Sequence, residues 1–295
     1  MSLEFVLPTV VGVALVGVMV LREWNLKPRT AVPLLTMVMA VAAAAAALVV
    51  FATAAGFLLG PARSSALTSW CRSIPLHHQV DPVTGVLSVA ASAVMAARAT
   101  RILRARRRVV RAANDGGRIN VIEDEQRFAY AVPTRAGCVV VSTGLLESLS
   151  PMERRAVFAH ERAHLRLRHH RYLLAAELSR SVLPFIRPLT RQLHHATERA
   201  ADEAAVDAVA GERSIVATAI ARAALGTPAI GTIPALGGGS VPRRLEALLW
   251  PEREARAGAM TSMVAACGGL VIVGAMLVQV HHFKGLLDHL CHGIG

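Results

Sequence analysis

Lysine is almost missing from this 295-residue chain: Lys27 and Lys284 are the only two, so nearly all of its formal charge of +12 is arginine. With abundant alanine beside it, that skew reads as GC-rich coding bias, and charge alone does not argue for a nucleic-acid partner. Cysteine is scarce too. Cys71, Cys138, Cys267 and Cys291 lie far apart with no CxxC pair, which excludes a zinc knuckle or a disulfide framework and makes a reducing compartment the simpler setting for the central part. Basic residues are lacking ahead of the first apolar run, so that run reads as a retained span, not a cleavable signal. There is no internal repeat or low-complexity linker; Gly231 to Ser240, with three consecutive glycines, reads as a flexible loop.

What the chain has is apolar surface. Hydrophobic residues make up 54% of it, too many for a wholly soluble protein, so part must lie in lipid. Three spans are expected in residues 1–97, at about 5–21, 31–60 and 79–97, and a fourth at 258–280. The second has no charge over 30 residues, more than the roughly 20 a perpendicular helix needs. The fourth follows Trp250 and precedes His281, His282 and Lys284, as interfacial flanks would. Arg98, Arg101, Arg104, Arg106, Arg107, Arg108 and Arg111 directly follow the third span, and cationic segments are retained in the cytoplasm. This orientation predicts a cytoplasmic domain at 98–257, with the start of the chain and a short tail, 281–295, outside a bacterial plasma membrane. Arg22, Lys27 and Arg29 agree with it. The same arginines could form a DNA or anionic-lipid patch, but beside a span their topological role is preferred, and no direct nucleic-acid partner is expected.

Within the predicted cytoplasmic domain, Ser150, Pro151 and Glu153 supply an N-cap, a first-turn proline and a capping-box partner. The helix they start runs into His160-Glu161-Arg162-Ala163-His164. Imidazoles at i and i+4 share a helix face and can reach one tetrahedral zinc ion, and Glu161, rotated from them, can address a water on it. With 12 histidines in the chain the motif is suggestive alone. A third ligand is best sought in Thr197-Glu198-Arg199-Ala200-Ala201-Asp202. There Glu198 would complete the set and Asp202 would bind the outer N–H of a ligand histidine; Glu203 and Asp202 are the alternatives for the ligand position. Without the histidine motif, Glu198, Asp202, Glu203 and Asp207 would read as the solvated face of an ordinary helix.

Asn120 to Ile122, Phe128 to Val132 and Cys138 to Ser142 are short β-prone segments that predict a small sheet. Its free edge is expected to bind an extended peptide, and the alternative is a sheet that only covers the active helix. His169, His170, His194 and His195 lie near the site in sequence and receive no role. The tail cluster of His281, His282, His289, Cys291 and His292 reads as adventitious metal affinity.

Ala129 to Pro133 (AYAVP), Val139 to His164 (VVVSTGLLESLSPMERRAVFAHERAH) and Glu198 to Asp202 (ERAAD) resemble the BlaR/MecR-type integral membrane zinc metallopeptidases, peptidase family fifty-six. They are similar also to the related HtpX and CAAX prenyl endopeptidase type. The likeness covers about 118–250. It implies zinc ligands His160, His164 and Glu198, a general base Glu161 and an outer partner Asp202. It also implies a mainly α fold: four transmembrane helices plus a cytoplasmic gluzincin-like α+β metallopeptidase domain with a small β-sheet. Only about 15 residues follow the fourth span, where antibiotic-sensing members carry a penicillin-binding domain, so β-lactam sensing is not expected.

The expected activity is a zinc endopeptidase cutting a cytoplasmic or membrane protein. A regulatory protease acting on a cytoplasmic repressor and a membrane quality-control protease are the competing roles. A non-catalytic membrane receptor or scaffold with a structural metal site is the reading from another class.

Overall fold

The computed structural model describes residues 28–59, 81–113, 117–225 and 241–250. The elements are α1 (Pro28–Leu59), α2 (Pro82–Ala112), β1 (Ile119–Ile122), β2 (Ala129–Val132), β3 (Cys138–Ser142), α3 (Thr143–Ser148), α4 (Pro151–Arg166), α5 (His169–Val182), α6 (Arg187–Ala208), α7 (Arg213–Ala224) and α8 (Val241–Leu249). A short 3-10 turn, Pro184–Ile186, joins α5 to α6. The described chain is therefore mainly helical with one three-stranded sheet, close to the three β-prone segments expected.

Two described helices, α1 and α2, are long and apolar enough to cross a membrane. They correspond to the second and third expected spans; the first and fourth fall outside the described residues, as do the glycine-rich loop and the histidine-rich tail. Asp81 caps α2 by accepting from Thr84 N at 3.1 Å, with Pro82 in the first turn. The helix does not end where the apolar stretch does. It runs unbroken through the arginines to Ala112, so the domain boundary expected between 97 and 98 falls inside one continuous helix.

The length of the second apolar run also has a structural explanation. Ala31, Val32, Leu35, Val38, Met39, Ala42 and Ala43, all in the first half of α1, are buried in one cluster with Leu183, Ile186, Leu189 and Leu193 from the α5–α6 hairpin. This half of α1 is thus core of the helical domain, and burying each large side chain contributes about 1.5–3 kcal/mol. Farther on, Phe51 and Leu58 of α1 and Val83, Val86, Leu87 and Val94 of α2 are exposed. Phe57 lies against Gly85, where any side chain would collide with its ring, so the two helices pair closely there. This helix pair leaves a row of large apolar side chains uncovered.

In the sheet, β3 is central and fully buried, with β1 parallel to it on one side and β2 antiparallel on the other. Gly137, with φ at 72°, makes the turn from β2 into β3, where its N–H donates to Thr134 O at 3.2 Å. Beneath the sheet, α4 packs through Val157 against Ala129, Val141, Leu145 and Ala219. Its other face meets α6, α7 and α8 through Ala156, Ala205, Val206, Ile220 and Leu248. The C-terminal end of α2 reaches the sheet through Val110 and Ala113. One helix, α4, is consequently fixed from both sides, and it carries the histidine motif.

Candidate metal centre

Ser150 begins α4 with a full capping box: its hydroxyl accepts from Glu153 N at 3.4 Å, and its own N–H donates to Glu153 Oε2 at 2.7 Å. Farther along the helix His160 and His164 project from one face with their Nε2 atoms 3.1 Å apart. From α6, Glu198 places Oε2 at 3.6 Å from His160 Nε2 and Oε1 at 3.5 Å from His164 Nε2. These three residues form the group of donors able to hold a metal ion among the described residues.

Bonds of about 2.0–2.1 Å to a tetrahedral zinc put neighbouring ligand atoms about 3.3 Å apart. The separations of 3.1 Å between the two Nε2 atoms and 3.5 Å from His164 Nε2 to Glu198 Oε1 bracket that edge length. The outer ring nitrogens support the same reading. His160 Nδ1 lies 3.0 Å from Asp202 Oδ1, and His164 Nδ1 lies 3.0 Å from Nδ1 of buried His169. A histidine that donates through Nδ1 turns an Nε2 lone pair inward. Two such lone pairs and a carboxylate converge on one point, an arrangement that needs a cation between them, so the donor set fits zinc.

The electrostatics agree. Burial alone would lower His160, but its hydrogen bonds with Asp202 and Glu198 raise it to about 9. Burial pushes His164 down to about 3. Burial would raise Glu198 and Asp202, yet both are held below the usual carboxylate range, Glu198 by His160 and Arg244, Asp202 by Arg244 and His160. Glu161 is different: burial pushes it up to about 7, opposed in part by His160 and by a hydrogen bond from the Ala131 backbone. A carboxyl poised near neutrality suits proton transfer.

Thus the structure brings together His160, Glu161, His164, Glu198 and Asp202. Glu203, an alternative ligand in the sequence, instead pairs with Arg213 at 2.8 Å. Asp202, the other, faces His160 Nδ1 and Arg244 and stands outside the converging set. Two contributors were missed. His169 had been left without a role, and Arg244, at 1% exposure, contacts Asp202 at 2.6 Å and Glu198 at 2.9 Å.

Residues 96–224 match the model of Peptidase family M48. The chain is a zinc metallopeptidase, and this segment is similar to family M48. Neither a curated protein nor a solved structure matches the chain. The M48 segment begins within α2 and ends with α7, so it contains every donor of the metal group but not Arg244. Its match supports the gluzincin likeness seen in the sequence, on the side of the broader metallopeptidase group; the narrower BlaR/MecR assignment does not follow from it. Zinc and peptide-bond hydrolysis go with the M48-like segment and the His-His-Glu group.

Proposed function

We propose that this protein is a membrane-embedded endopeptidase in which His160, His164 and Glu198 hold zinc, Glu161 is the general base and Asp202 orients His160. The observation that carries the reading is the convergence of three donors, and only three, among the described residues. A structural site would close with a fourth protein ligand, whereas a catalytic one leaves that position for water. This favours an enzyme over a receptor or scaffold.

Zinc, when bound, polarises the scissile carbonyl and makes a water acidic enough to attack it. Glu161 takes the proton of that water and returns it to the leaving amine. Burial keeps its carboxyl near neutrality, so it can do both. The substrate lies along β2. Phe128 O accepts from Ser142 N at 3.0 Å, and the pairing of Tyr130 with Val140 continues that ladder. By the antiparallel alternation, Ala129 and Ala131 turn their main-chain groups to the free edge, where the Ala131 backbone also donates to Glu161. An extended peptide added there gains main-chain hydrogen bonds next to the base.

The substrate is then a cytoplasmic or membrane protein that presents an extended segment. A cytoplasmic repressor cut after a membrane signal meets that requirement, and so does a damaged membrane protein. The exposed arginines after the apolar part of α2 support a cytoplasmic M48 domain on the inner face of a bacterial plasma membrane. Detergent-purified full-length protein tests the proposal: it should hold one zinc per chain, cleave an unfolded protein, stop when a chelator removes the metal and recover when zinc returns. Cleavage indifferent to chelation would overturn it.

A further inference from the structure

Arg244 reaches the metal donors from α8, beyond the residues that match the family. Its guanidinium is a rigid planar fork with five donors. Nε donates to Asp202 Oδ2 at 2.8 Å and Nη2 to Asp202 Oδ1 at 2.6 Å. The remaining arm, Nη1, lies 2.9 Å from Glu198 Oε2. One side chain therefore holds both oxygens of the carboxylate behind His160 and one oxygen of the carboxylate at the metal group.

That division has a consequence for Glu198. A free carboxylate can put both oxygens on a metal, and a second oxygen beside the catalytic water would raise the site from four ligands to five. Oε2 lies closer to Arg244, at 2.9 Å, than to His160 Nε2, at 3.6 Å, which leaves Oε1, 3.5 Å from His164 Nε2, as the oxygen for the metal. We propose that Arg244 is a positioning residue that restricts Glu198 to a single oxygen on the metal and so holds the site at four ligands, the fourth a water. The inference rests on His160, His164 and Glu198 being the zinc ligands. Charge supports it as well, since Arg244 offsets part of the negative charge of Glu198, Asp202 and Glu161 and keeps the donors together before any metal arrives. Lysine cannot replace it, because a single ammonium lacks the fork that spans two carboxylates.

The test uses full-length protein in detergent loaded with cobalt(II), whose visible absorption is intense when four-coordinate and weak when five-coordinate. Wild type should give the intense spectrum. Arg244→Lys should weaken it as the second Glu198 oxygen joins the metal, with zinc affinity in chelator competition falling about 10- to 100-fold. A weak wild-type spectrum, or an Arg244→Lys spectrum as intense as wild type, would overturn the inference. Should the variant fail to fold, X-ray absorption on zinc-loaded wild type decides: four nitrogen and oxygen ligands support it, and five contradict it. Absence of any bound metal in folded wild type would overturn the ligand assignment itself.

Discussion

The outer ring nitrogens of His164 and His169 face each other at 3.0 Å, so each ring fixes the orientation of the other. For His164 to offer Nε2 to zinc, its Nδ1–H must donate and His169 Nδ1 must accept. Removing the acceptor with His169→Leu should weaken zinc binding about 10- to 100-fold, the usual range for outer partners of ligand histidines. His169→Asn, which keeps an acceptor near the same place, should lose less. Chelator competition on the two variants checks the order; equal losses would indicate packing alone.

Asp202 performs the corresponding task for His160, at 3.0 Å from its Nδ1. Replacing it by Asn removes the charge that this histidine and Arg244 both face. Zinc affinity should fall about 10- to 100-fold while the protein still folds. Metal titration monitored beside circular dichroism separates these effects.

Leu193 has no exposed surface and lies where the α5–α6 hairpin meets α1. Leu193→Ala should cost about 2–5 kcal/mol, by lost burial and the cavity left behind. Denaturant unfolding of wild type and variant in the same detergent measures it. A change within about 0.5 kcal/mol, as for surface substitutions, would mean that α1 does not pack there.

His195 gives the fold an acid sensitivity away from the metal donors. Burial, joined by Arg199, Arg243 and Arg244, pushes its pKa down to about 4, and its Nδ1 is buried without a hydrogen-bond partner among the described residues. The unfolded chain therefore binds this proton more readily than the folded one. Its contribution is complete above about 6.5, the ordinary histidine value, and is lost as pH falls from there towards 4. Thermal midpoints of wild type and His195→Gln across that range should converge at the acid end, with the variant less sensitive to pH.

Much of the site was legible in the sequence because its signals are local. The capping box at Ser150 and Glu153, the one-turn spacing of His160 and His164, and the one-turn spacing of Glu198 and Asp202 each depend only on helix geometry. The three strands were likewise marked by β-branched residues between turn formers. Arg244 was hidden because it lies 42 positions beyond Asp202, with no periodicity linking them and many other arginines nearby. His169 meets His164 because Arg168 takes a left-handed conformation, φ 55°, that folds α5 back on α4. No residue type at that position announces such a turn. The apolar run of α1 suits a membrane crossing and a protein core alike, because lipid and core select the same residues. Only the packing of α5 and α6 on its first half tells the two apart.

The account depends most on Glu161 moving the proton while other residues hold the metal. Zinc content and peptide cleavage measured together on wild type and Glu161→Gln test this directly. The variant should keep one zinc per chain and lose about 10²- to 10⁴-fold in cleavage rate. A zinc-loaded Glu161→Gln protein that cleaves as fast as wild type would contradict it.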